Sequence, residues 1–308
     1  MAGSASAATG HASSTKAPRI AYLSFAVANS YDAPMLAAAK KAAKKGGATI
    51  QVFDANNDPK KQLAQLQTAT SSGQYDAIIV QPIFGTGLLT AVKAAIAKGI
   101  KVVALDQILG PKLSTNKSQV KGLSGSIVQV PTTIGSQLGK LTVRACTANK
   151  LNPCNVGYLY DIKASALDIA IRKAYVDVVK SHPEIKQVAD GQSFFTPANG
   201  LKAFQTMLQS APSMNLLVGS DQGIEGAVQV ASKDMVLVGY GGSEAAKRGI
   251  ASGRWFGSVW QVPATEGRLA AECAVSAVKT GKACKTPNLG LPVVTKANVS
   301  KYSGEWPG

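Results

Sequence analysis

From Arg19 onward, apolar runs of strand length take turns with stretches of helical periodicity, and few folds admit that alternation. Ile20–Phe25, Thr49–Phe53, Ala77–Val80 and Val102–Leu105 read as strands in the first half. Asn155–Tyr160, Gln187–Ser193, Leu216–Val218, Val236–Val238 and Gly257–Gln261 read as strands in the second. The helices between them have legible ends. Asp58-Pro59 supplies an N-cap followed by proline at the first helical position, opening a helix through Thr70. Thr86 opens another through Lys98, closed by Gly99, and Ser243 and Pro263 start two more. Strand and helix in turn imply right-handed crossovers, mostly parallel sheet, and helices on both faces.

The alternation is too long for one compact sheet, and 308 residues exceed the usual size of one core. The irregular stretch Gly110–Gly125, rich in glycine, proline, serine and asparagine, reads as the joint between two similar α/β lobes. Pro287–Gly308 shows little periodicity beyond Leu291-Pro292-Val293-Val294 and reads as a return across that joint.

Charge says less than it first suggests. The 33 basic and 17 acidic residues give a net charge of +16, which on its own fits nucleic acid, an acidic polymer, an anionic membrane or a merely solvated surface. Its distribution favours the last, because lysines fall on one side of helical patterns such as Ala37–Lys45, with no aromatic-interleaved basic stripe for nucleic acid. No stretch approaches the roughly 20 apolar residues that span a bilayer. Residues 1–18 are small and polar, as in a flexible tether behind a removed export signal; a lipid-modified cysteine would anchor such a tether, and none is present here. The cysteines fall as two local pairs, Cys146 with Cys154 and Cys273 with Cys284, which favours two short-loop disulfides and an oxidising compartment. Free buried thiols are the alternative; a four-thiolate metal site needs closer spacing.

Much chemistry is excluded. His11 lies in the tail and His182 in the turn Ser181-His182-Pro183, which leaves no histidine triad or histidine metal cluster. Phosphate-loop, nucleophile-elbow and dinucleotide fingerprints are absent, and Val238–Ser243 reads as a tight strand-to-helix turn. An enzyme is left only Asp/Lys chemistry around Asp106, and neither cofactor nor metal is expected. Asp106 ends the buried run Ile100–Gln107, and ligands in open α/β sheets sit beyond such strand ends. Other polar and aromatic side chains collect at equivalent places: Phe25, Asn29 and Tyr31, then Gln81, then Gln107 beside Asp106. The second half adds Phe195, Ser220 with Asp221, Tyr240 and Gln261. Aromatic faces beside amides and a carboxylate suit a ligand with apolar C–H faces and a hydroxylated rim.

These residues resemble those of the type I periplasmic sugar-binding proteins of the ribose kind, the solute receptors of ABC importers. The resemblance spans Arg19 to about Tyr302. It is carried by Ile20-Ala21-Tyr22-Leu23 leading to Asn29-Ser30-Tyr31, by Asp54–Pro59, Ile79-Val80-Gln81-Pro82 and Val103-Ala104-Leu105-Asp106, and by Gly219-Ser220-Asp221, Val238-Gly239-Tyr240 and Val259–Pro263. It implies two doubly wound parallel-sheet lobes closing on a ligand about a three-segment hinge, with 19–124 plus 262–288 as one lobe and 125–261 plus 289–308 as the other. Asp106 would accept from two adjacent hydroxyls, Asn29, Gln81 and Gln261 would bond others, and Phe25, Tyr31, Phe195 and Tyr240 would sandwich the ring. The chain departs from the pattern where Ile171 replaces an arginine, Gly241 an aspartate, and Gln107 an arginine. That implies a roomier, less charged pocket, favouring a small polyol, a modified sugar or a partly apolar solute. Asp161, Lys163 and Asp168, near the second lobe's rim, could compensate for the absent charges, but surface positions are the favoured reading. The expected role is that of a monomeric, non-enzymatic, extracytoplasmic receptor that hands a sugar or polyol to an ABC permease. A partly apolar non-sugar solute is the alternative; a repressor-type sensing core would need a DNA-binding helix-turn-helix ahead of Arg19, where only the tail stands.

Overall fold

The structure is a computed structural model and describes residues 16–308, so most of the expected tether, His11 included, lies outside the described residues. The chain runs through β1 (Arg19–Ser24), α1 (Asp32–Lys45), β2 (Thr49–Asp54), α2 (Pro59–Ser71), β3 (Ala77–Val80), α3 (Leu89–Ala97), β4 (Lys101–Asp106) and β5 (Gly125–Val128). It continues through α4 (Pro131–Ala148), β6 (Cys154–Tyr160), α5 (Ala166–Val179), β7 (Ile185–Gln192), α6 (Pro197–Ser210) and β8 (Leu216–Ser220). The last elements are α7 (Asp221–Ala227), β9 (Val236–Tyr240), α8 (Glu244–Ser252), β10 (Gly257–Val259), α9 (Pro263–Thr280) and β11 (Val293–Thr295).

Two sheets result. The first has the order β2-β1-β3-β4-β5 and is parallel throughout. The second has the order β11-β10-β9-β8-β6-β7 and is parallel except for β10 with β11. Period-two alternation sends Ile20, Tyr22, Ile79 and Val103 against α1 and α9, and sends Ala21, Leu23, Val80 and Ala104 against α2 and α3. The second sheet is sandwiched in the same way. Tyr158, Val218 and Val238 pack toward α4 and α5; Leu159, Leu217 and Leu237 pack toward α6, α7 and α8. In each sheet the strand order reverses beside the first strand laid down, which opens a crevice beyond the carboxyl ends.

The caps formed as read for α2, where Asp58 Oδ1 accepts from Lys60 N at 2.8 Å and Lys61 N at 3.1 Å, and for α8, where Ser243 Oγ accepts from Ala246 N at 2.9 Å. α3 starts at Leu89 rather than Thr86, because Thr86 first accepts a turn bond from Leu89 N. Both disulfides are present, Cys146–Cys154 and Cys273–Cys284. The lysines at 40, 41, 44 and 45 line the exposed face of α1, and no described helix is long and apolar enough to cross a membrane.

The joint lies elsewhere than expected. Gly110–Gly125 folds back on the first sheet, with Gly110, Val120 and Leu123 buried, and the chain then adds β5 to that sheet. Residues 125–128 therefore belong with the first lobe and not the second. The chain crosses between sheets at 128–131, returns at 259–263, and crosses again between α9 and β11, giving a hinge of three segments.

Candidate functional site

A cleft of about 680 Å³, its open mouth included, lies between the carboxyl ends of the two sheets. Of the residues singled out in the sequence, twelve border it; Asp221, read together with Ser220, is buried outside its lining and accepts from Ser258 Oγ at 2.8 Å and Ser243 N at 2.9 Å. Phe25, Asn29 and Tyr31 come from the loop after β1, Gln81 follows β3, Asp106 ends β4 and Gln107 follows it. Ile171 comes from α5, Phe195 from the loop after β7, Ser220 and Tyr240 from the ends of β8 and β9, Gly241 from the following turn, and Gln261 from a hinge segment.

Their roles differ in detail from the expectation. Gln81 is spent within the protein: Nε2 donates to Asp32 Oδ1 at 2.7 Å and to Asp106 Oδ2 at 3.2 Å, and Oε1 accepts from Phe25 N at 3.1 Å. It holds two carboxylates side by side instead of facing a ligand. Tyr31 Oη donates to Asp106 Oδ1 at 3.4 Å. Asp106 itself has φ +61°, a left-handed conformation that aspartate tolerates at a cost of about 1 kcal/mol and that turns the chain sharply at the strand end. Ser220 is also occupied, its Oγ donating to Asp161 at 2.6 Å while accepting from Gly223 N at 3.3 Å as the cap of α7. Gln107 and Gln261 make no side-chain hydrogen bond within the described residues. The aromatic rings meet edge to face, Phe25 with Phe195 at 6.1 Å and Tyr31 with Trp306 at 5.3 Å, and so form corners.

Asp161 and Asp168 are buried, against the reading that put them on the surface; Lys163 alone of the three is exposed, paired with Asp190. Asp161 gathers three hydroxyls, from Ser193, Ser220 and Tyr240, and Asp168 accepts from the Asp161 and Ile162 amides, so the two carboxylates brace the wall from behind. Beside Ile171, the guanidinium of Arg172 turns away from the cleft over the ring of Tyr158, 4.6 Å from its centre.

Other cleft residues escaped the sequence reading. Asp32 opens α1, Gln129 follows β5, Gln222 opens α7, and Trp306 arrives from the C-terminal segment; Pro131, Ile134 and Leu167 add apolar surface. The missed strand β5 hid Gln129. Trp306 explains Gly241: a Cβ there would stand 2.7 Å from Trp306 Cζ2, and the Gly241 carbonyl accepts from Trp306 Nε1 at 2.9 Å. The indole fills the space beside Gly241, where the resemblance leads one to expect an acid. The segment carrying it is firmly seated, since Glu305 accepts from Thr265 N at 2.8 Å at the start of α9 and the Trp306 carbonyl accepts from Glu244 N at 2.9 Å at the start of α8. Across the mouth the lobes touch through Gln222 Nε2, which donates to Asn29 Oδ1 at 3.2 Å and Ser30 Oγ at 3.3 Å, through Asn29 Nδ2, which donates to the Phe195 carbonyl at 3.5 Å, and through the Phe25–Phe195 contact, so the Asn29 amide, expected to bond a ligand hydroxyl, is engaged within the protein.

The electrostatics are one-sided. Burial pushes Asp32 up to about 8, against the pull of its hydrogen bond from Gln81, and Asp106 up to about 6, against those from Gln81 and Tyr31. Glu266, behind the cleft and bonded by Gln129, is held well above the carboxylate range by burial and by the nearby Asp106. Burial, and then its neighbour Asp168, raises Asp161 to about 7. No lysine or arginine borders the cleft among the described residues. Nor do the described residues hold a cluster of His, Cys, Asp or Glu suited to a metal ion.

Comparison with known proteins agrees with this architecture. The ribose import binding protein of Bacillus subtilis is 25% identical over 264 residues, covering 83% of this chain and 80% of its own. The D-apiose import binding protein of Paraburkholderia graminis is 27% identical over 284 residues, covering 88% and 86%. The crystal structure of an ABC transporter solute binding protein from Mycobacterium smegmatis with bound glycerol superposes with a TM-score of 0.81 at 22% identity, covering 95% of this chain and 99% of that one. The model of the periplasmic binding protein domain matches residues 20–283, and with both lobes and their hinge accounted for, the chain belongs to the periplasmic binding protein family.

Proposed function

We propose that this chain is an extracytoplasmic receptor that captures a small polyhydroxylated solute between its lobes and delivers it to an ABC permease. Residues 19–128 with 263–288 act as one lobe and 131–259 with 289–308 as the other, closing about the three hinge segments. The observation that carries the reading is the cleft itself. Side chains from the strand ends of both sheets converge there, around one carboxylate with open acceptor capacity, two unengaged amides and five aromatic rings. The import binding proteins among its relatives support the transport role, and two disulfides suit an oxidising compartment.

Closure as seen here rests on few contacts. The Gln222 and Asn29 bonds, at about 0.5–1.5 kcal/mol each, and the edge-to-face contact of Phe25 with Phe195 hold the mouth only weakly, so a solute touching both lobes supplies most of the bias toward the closed form. A thermal-shift screen of sugars, modified sugars and polyols tests the reading. A stabilising compound that binds one to one and is recovered unchanged supports it, whereas chemical turnover of that compound, or a screen with no stabilising compound, overturns it.

A further inference from the structure

The charges and unpaired atoms of the cleft point to a narrower ligand class, and this inference rests on the solute-receptor reading above. Asp106 and Asp32 share the amide of one glutamine, at 3.2 and 2.7 Å, and no basic side chain borders the cleft among the described residues to balance them. Asp32 keeps its proton at neutral pH and Asp106 gives its proton up, so the uncompensated charge is that of Asp106, and a buried carboxylate without a cation is costly unless the ligand supplies the missing positive end. A second observation is independent of these charges. Among the described residues that border the cleft, the one buried polar atom left without a partner is Gln129 Oε1, on a residue only 4% exposed, and it is an acceptor. Asp106 and Gln129 Oε1 call for donors, and an ammonium carries three donors and no acceptor, while the free Gln107 and Gln261 amides can meet the polar groups of its frame.

The aromatic geometry agrees. Phe25 and Phe195 are inclined at 79° and Tyr31 and Trp306 at 75°, so each pair forms a right-angled corner and not the parallel slot that suits a flat sugar face. The Tyr31 corner adjoins Asp106 through the tyrosine hydroxyl. Aromatic faces set at right angles beside a carboxylate are the arrangement that retains organic cations. We infer that the solute selected by this cleft carries a protonated or quaternary amine on a small hydroxylated or partly apolar frame, with its positive end on Asp106 and in the Tyr31–Trp306 corner. Trp306, seated against Gly241, then acts as a specificity residue for that class.

Matched pairs that differ only in the charge provide the test. Titration calorimetry of the full chain at neutral pH would compare glucosamine with glucose, 1-amino-1-deoxysorbitol with sorbitol, and choline with 3,3-dimethylbutanol. The inference predicts that in at least one pair the cationic member binds about tenfold more tightly or better, with an advantage that shrinks as salt is raised. Asp106→Asn and Trp306→Leu, each checked for a native melt, should both reduce that advantage. Neutral members binding as tightly as, or more tightly than, their cationic partners in every pair would overturn it. Silence from all six compounds beside a neutral-sugar hit in the broader screen would overturn the inference and leave the receptor reading standing. Silence in both would overturn the two together.

Discussion

Gly241 shows how a single residue sets the character of this cleft. Its φ of +142° suits glycine, its missing side chain makes room for Trp306, and its carbonyl fixes the indole. Restoring an acid there puts three penalties in one place: a strained backbone, a clash with the indole, and a second carboxylate about where Asp221 Oδ2 lies 3.0 Å from the new Cβ. Gly241→Asp is therefore expected to lower stability by about 2–4 kcal/mol, and Gly241→Asp with Trp306→Ala to recover part of it, as measured by denaturant melts of both variants. Equal melts for the two would show that Trp306 does not occupy that space. The carboxylates themselves illustrate what residue-level reading from sequence can and cannot reach. Asp106 was legible because it ends an apolar run. Asp161 opens Asp161-Ile162-Lys163 and Asp168 lies in the first turn of α5, a stretch that looks solvated, and only the loop hydroxyls and amides packed around them make burial tolerable.

At the scale of elements, strands and helix caps followed from local rules and their ends did not. β1, β3 and β4 stand out because sheets covered on both faces need uninterrupted apolar runs. β5 is four residues long, begins with glycine and follows a long irregular stretch, so nothing local marks it; its register with β4 is set by long-range pairing. Missing it displaced the expected lobe boundary and concealed Gln129. The C-terminal segment was recognisable as a return across the joint, but its role in presenting Trp306 arises from bonds to the starts of α8 and α9, which no pattern within the segment predicts. The start of α7 carries a mechanical role that can be tested in isolation. Gln222 bridges the lobes only when they meet, so Gln222→Ala is expected to weaken solute binding about three- to tenfold and to leave the melt of the unliganded protein within about 0.5 kcal/mol of wild type. An unchanged affinity would remove the bridge from the account of closure.

For the whole molecule, the buried acids have a collective consequence. Asp32, Asp106 and Asp161 hold their protons to about pH 8, 6 and 7, against an ordinary 3.8. The folded chain therefore binds more protons than the unfolded chain across that window, and the stability these groups provide is present below about pH 4 and is lost as pH rises through the folded values. The melting temperature of the unliganded protein should fall from mildly acidic to mildly alkaline pH, as scanning calorimetry would record, and a flat or rising profile would contradict the charge assignment. Receptor function and apo stability thus oppose each other in the cleft, a cost common to sites that wait for a ligand. The central claim, that the cleft between the lobes captures a solute on Asp106, is tested most directly by titration calorimetry of the most strongly stabilising compound into wild type, Asp106→Ala and Asp190→Ala. The account predicts one site in wild type, affinity about 10- to 100-fold weaker in Asp106→Ala, and no change in Asp190→Ala, whose carboxylate pairs with Lys163 on the surface. Undiminished binding to Asp106→Ala would contradict it.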